Sequence, residues 1–97
     1  MILDWKDAPL EGMIRKYAVI DSETIYLYSF ENHNDYQFYH GENFLGGLHC
    51  YEFGEQQEEE ALRCLIYPYF KKKAKSYNNI CEWLHNNLYQ VINDGIQ

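Results

Sequence analysis

Cys81 and His85 stand four positions apart near the end of the chain, the spacing that sets two donors on one face of a helix. His49-Cys50 and Cys64 add three more groups that could bind a soft metal ion. Structural zinc sites close with four such ligands, usually delivered by paired short spacings, and no CxxC, HxxxH or HExxH is present. Cys64 and Cys81 fall among apolar residues at helical intervals, where cysteine packs as a small hydrophobe. The expectation is therefore buried thiols and no metal.

Covalent chemistry fares no better. A cysteine nucleophile needs a lowered pKa and a base within reach. His49 adjoins Cys50, but neighbours on a strand point to opposite faces. Glu52, Glu55 and the run Glu58-Glu59-Glu60 could work as paired carboxylates. An acidic run ahead of an apolar helical stretch is also what the positive end of a helix prefers, so these acids read as a solvated face. The glycines of Gly41-Glu-Asn-Phe-Leu-Gly46-Gly47 match neither GxGxxG nor GxxxxGK[ST], and no nucleophile turn motif accompanies the serines. The sequence predicts no enzyme and no cofactor.

Charge placement excludes more. Of the 97 residues, those from 1 to 60 hold 13 acidic and three basic side chains, whereas 61 to 97 hold two acidic and five basic ones. A front at −10 repels nucleic acid and attracts basic protein surfaces. The one basic cluster, Lys71 to Lys75, has a structural reading, since cations suit a helix C-terminus. No run of 18 apolar residues suggests a membrane span, and the opening MILDWKDAPLEG lacks the basic start and apolar core of a secretory signal. Three widely spaced cysteines argue for reduced thiols, hence a cytoplasmic protein.

The elements that would position any site follow from periodicity. The stretch Thr24 to Tyr39 organises the rest: two aromatic strands flank the turn formers Glu31-Asn-His-Asn-Asp35. Ile25, Leu27 and Ser29 should face one way, and Tyr26, Tyr28 and Phe30 the other. On the second strand, Tyr36, Phe38 and His40 should oppose Gln37 and Tyr39. Met13 to Ile20 reads as a preceding strand, with Ile14, Ala18 and Ile20 opposite Arg15, Tyr17 and Val19. His40 to Gly47, with three glycines, reads as a loop, and Leu48 to Phe53 as a fourth strand.

From Glu55 the pattern turns helical, with Ala61, Leu62, Leu65 and Ile66 at intervals of a turn. Pro68 predicts that Tyr67 leaves helical geometry. Ser76 is a candidate cap for a last helix from Tyr77 to Ile92, closed by Asn93-Asp94-Gly95. Strands first and helices last define an α+β class: one domain over residues 1–97, a four-stranded antiparallel meander with two or three C-terminal helices on one face.

Ten tyrosines in so short a chain suit half-buried sheet faces and interfaces. The candidate binding surface is Asp21, Glu23, Glu31, Asp35, Glu42, Glu52 and Glu55 together with Tyr26, Tyr28, Tyr36, Tyr39 and Tyr51. Carboxylates can stand where phosphates would, and rings where bases would stack. The expected function is a small acidic inhibitor of a nucleic-acid-acting enzyme. Its partner would be a basic protein surface, a nuclease or a nucleic-acid-binding effector, as for a phage-type anti-CRISPR protein or a nuclease-toxin immunity protein. The alternative is a structural or regulatory interaction adaptor, with a homodimer as one form. Direct nucleic-acid or membrane contact is not expected.

Overall fold

Period-two alternation through the first half of the chain builds an antiparallel sheet, and period-four apolar residues in the second half build the layer that covers it. The computed structural model describes residues 1–30 and 34–88. Its sheet has five strands in sequence order: β1 (Lys6–Asp7), β2 (Met13–Ile20), β3 (Glu23–Phe30), β4 (Asp35–His40) and β5 (Asn43–His49). The α+β meander is as the sequence indicates, with one strand more. The extra strand is a two-residue edge, Lys6 opposite Tyr17 and Asp7 opposite Lys16, just ahead of Pro9. Arg15 holds the segment from the side, donating from Nε to the Ala8 carbonyl at 2.7 Å.

Two-residue turns join β2 to β3 and β4 to β5. Asp21 and Ser22 both take positive φ (46° and 72°), the geometry whose twist matches flanking antiparallel strands. The bend between β3 and β4 includes residues 31–33, outside the described residues.

The last strand lies earlier than the alternation of Leu48 to Phe53 suggests. The glycine-rich stretch expected to be a loop is itself β5, paired with β4 from Asp35–His49 to His40–Asn43. The register shifts between Phe38, opposite Gly46, and Tyr39, opposite Phe44, so Leu45 is an inserted residue. Gly46 takes φ of 138°, and a Cβ there would run into the side chain of Leu65. Its glycines thus serve a bulge and a close approach of strand to helix.

Helix α1 (Glu55–Ala61) follows, then a π-helical segment (Leu62–Ile66), α2 (Tyr67–Lys72) and α3 (Ala74–Asn87). Tyr67 does not leave helical geometry. Its amide bonds back to the Leu62 carbonyl, five residues away, and this widened turn admits Pro68 within the first turn of α2. The last helix starts at Ala74 with a kink at Tyr77 (φ −129°), close to the start expected from Ser76. The expected end at Ile92 and closure at Asn93-Asp94-Gly95 lie outside the described residues.

Glu58, Leu62, Ile66 and Phe70 form one inward stripe, and Ile80, Leu84 and Leu88 a second. Both meet Ala18, Ile20, Ile25, Leu27 and Phe38, which settles which sheet face the helices cover. Burying side chains of this size contributes about 1.5–3 kcal/mol each, which is why the aliphatic face of β3 is the covered one. No helix among the described residues is long and apolar enough to cross a membrane.

Candidate interaction face

The opposite face of the sheet carries Arg15, Tyr17 and Val19 of β2, Thr24, Tyr26 and Tyr28 of β3, Gln37 and Tyr39 of β4, and Phe44 of β5. Strand register sets Tyr17 beside Tyr26, Tyr26 beside Tyr39, and Tyr39 beside Phe44, a ring row crossing four strands. Ring centroids are 6.2 Å apart for Tyr17–Tyr26, 6.3 Å for Tyr26–Tyr28, and 5.3 Å for both Tyr28–Tyr39 and Tyr39–Phe44. The Arg15 guanidinium lies over Tyr26 at 5.5 Å. The buried helix residues pack with the core on the other side, and Phe44, at the β5 edge and 58% exposed, also borders a depression with Leu65, Pro68 and Tyr69 of the helical layer. The four tyrosines are half-buried, packed against one another, Arg15 and Phe44.

Within this face lies a shallow depression of about 510 Å³, lined by Met13, Tyr28, Gln37, Tyr39, Gly41 and Glu42. Tyr28 and Tyr39 stand at 83° to each other, and the Tyr39 hydroxyl donates to Gln37 Oε1 at 3.4 Å. Glu42, in the β4–β5 turn, is exposed at the rim.

The residues singled out in the sequence fall into several groups. Tyr26, Tyr28 and Tyr39 share the aromatic face. Tyr36 does not: it lies on the covered side, 5.8 Å from the Phe53 ring, and burial pushes its phenol up. Asp21, Glu23 and Glu42 cluster at the end of the sheet where the two tight turns sit. Asp35 lies at the other end, bonded to His49 Nδ1 at 2.8 Å. Tyr51, 90% exposed, with Glu52 and Glu55, follows β5 at that end. Glu31 lies outside the described residues.

Several carboxylates are engaged within the chain. Glu55 accepts from the Met1 amine at 3.1 Å, and Glu23 meets His40 Nε2 at 2.7 Å. Acids therefore flank the aromatic face at both ends and do not pave it.

His40 sits on the covered side, only 13% exposed, against the rings of Tyr69, Phe70 and Tyr77. Its Nδ1 is 2.9 Å from the Tyr69 hydroxyl, which also accepts from Lys73 Nζ at 3.3 Å. With Nε2 protonated, the ring donates to Glu23 and accepts from Tyr69. This chain of hydrogen bonds ties β3 and β4 to α2. The polar cleft of about 350 Å³ beside it is lined by Glu23, not by His40 or Tyr69. Alternation already placed His40 with Phe38 on one face, the one signal that it needed buried partners.

The buried Glu58 was not foreseen. One of the acids read as solvated is 1% exposed, and it accepts from Ile2 N (2.6 Å), Leu3 N (3.1 Å) and Trp5 Nε1 (2.7 Å). The signal was present in its spacing, four residues ahead of Leu62 in the stripe that continues to Ile66 and Phe70.

The thiols also divide differently from expectation. Cys64 is exposed, since it lies off the stripe of Ala61, Leu62, Leu65 and Ile66 on the helix, while Cys50 and Cys81 are half-buried. Burial raises the latter two thiols above their usual range, the opposite of what activates a nucleophile. Among the described residues no three histidine, cysteine or acidic side chains converge to hold a metal ion.

No protein-family model, curated protein or solved structure matches the chain.

Proposed function

We propose that this chain acts by binding another protein through its aromatic sheet face, with its net negative charge steering it toward a basic surface. The observation that carries the reading is the chain of ring contacts Tyr17–Tyr26–Tyr28–Tyr39–Phe44, which crosses four strands on the sheet face opposite the core of the described residues. A cluster of half-exposed aromatic side chains bordered by exposed Val19 and Phe44 suits an interaction site, and tyrosine is a residue of binding anchors. A net charge of −7 accelerates encounter with a cationic partner without requiring each acid to touch it. A basic groove that also tolerates stacked rings is characteristic of proteins that handle nucleic acid. The finer reading is thus a stoichiometric inhibitor of a nucleic-acid-acting enzyme, of the anti-defence or toxin-immunity kind.

The test uses the full chain and a Tyr26→Ser/Tyr39→Ser variant as baits at low and high salt, after circular dichroism shows the variant folded. The reading expects a basic protein retained by the parent chain, lost by the variant and weakened by salt. A captured enzyme should lose its grip on nucleic acid when the chain is added. Retention indifferent to both the substitutions and salt contradicts it.

A further inference from the structure

The depression between Tyr28 and Tyr39 has the chemistry of a receptor for a single cation. Two phenol rings 5.3 Å apart and nearly perpendicular form two walls of a corner. In an edge-to-face pair at this distance the rim of one ring meets the face of the other, so a cation lodged beside them is attracted by the negative lobe of the ring face left open. Gln37 contributes an amide to the lining, Met13 adds a polarisable apolar side chain, and Glu42 supplies a carboxylate at the rim. No Lys or Arg lines the space, although Arg15 lies two residues from Met13 along β2. That arginine is occupied elsewhere, over the Tyr26 ring at 5.5 Å and bonded to the Ala8 carbonyl. Though the cross-strand partner of Tyr28, it lies over Tyr26, which shows that this face accommodates a guanidinium against a tyrosine two residues along β3.

We infer that the Tyr28–Tyr39 corner binds a cationic side chain, an arginine or lysine of a partner protein, with Glu42 as its counter-charge. The inference rests on the aromatic face being the binding surface and names the chemistry of the group that anchors there. A planar guanidinium suits the site best: it stacks flat on one ring while its N–H groups reach the Gln37 amide oxygen and the Glu42 carboxylate. A neutral side chain of the same shape lacks both attractions, so the site discriminates by charge more than by size.

The probe is N-acetyl-arginine amide, titrated into the full chain with labelled tyrosine rings and followed by NMR, with N-acetyl-citrulline amide as the neutral isostere. Saturable shifts of the Tyr28 and Tyr39 ring signals are expected with arginine and not with citrulline. Tyr39→Leu should weaken the arginine response about five- to tenfold. Glu42→Gln, an exposed change that leaves the fold in place, should weaken it about two- to fivefold. An absent response, an equal response to citrulline, or shifts confined to Tyr26 beside Arg15 overturns the inference. If arginine fails while a partner protein still protects the face, only the cation site falls. If arginine binds while a partner leaves the face unprotected, only the broader reading falls.

Discussion

The indole Nε1 of Trp5 donates to Oε2 of Glu58 at 2.7 Å, so a buried carboxylate on α1 fastens the segment that leads into β1. The same carboxylate takes the amides of Ile2 and Leu3, which places Leu3 in the core and Trp5 5.6 Å from the Phe53 ring. A charge this deeply buried is tolerated because three N–H donors converge on it.

Replacing Glu58 with Ala strands those three donors. Urea unfolding should show a loss of about 2–4 kcal/mol, whereas Glu59→Ala or Glu60→Ala, both exposed, should stay within about 0.5 kcal/mol. Equal effects at the three positions contradict the clamp.

Gly46 makes a second stringent case. Its φ of 138° strains any L side chain and a Cβ would push the end of Leu65 aside, so Gly46→Ala should cost about 1–3 kcal/mol in the same measurement. Gly41→Ala, where a Cβ meets nothing within 4 Å, keeps only the strain of its positive φ and should cost less. Reversal of that order places the constraint elsewhere.

The cysteines supply a pH prediction. Cys64 is exposed and should react first with a thiol reagent, followed by Cys50 and Cys81, whose thiols burial holds above the usual range. The unfolded chain ionises first as pH rises. The contribution of these two groups is therefore fully present below the ordinary thiol pKa of about 8.5 and fades as pH climbs through their higher folded values. Stability in Cys50→Ala/Cys81→Ala should fall less steeply above that point than in the parent chain; an unchanged slope contradicts the assignment.

Faces were legible in the sequence and boundaries were less so. Alternation alone separated Ile25 and Leu27 from Tyr26 and Tyr28, because a strand residue has only two sides to choose from. Which side the helices cover depended on packing volume that no single strand encodes. The Gly46-Gly47 pair concealed β5, since glycine signals a bend more often than the close approach found here. Pro68 pointed to a break that the widened turn before it absorbs. Within Glu55 to Glu60, identical side chains masked the one acid that turns inward. On the aromatic sheet face, alternation placed Tyr26, Tyr28 and Tyr39 together, whereas Tyr17 and Phe44 were not among the candidates and Tyr36 belongs to the covered side. The separation of that aromatic face from most of the acids came only from the turns and strand ends that carry them.

The most direct measurement is hydroxyl-radical footprinting of the full chain, free and bound to the protein it captures. Protection should concentrate on Tyr17, Tyr26, Tyr28, Tyr39 and Phe44, with Tyr67, Tyr69 and Tyr77 on the helical side unchanged. Protection of the helical tyrosines, with the sheet face as reactive as before, would contradict the account.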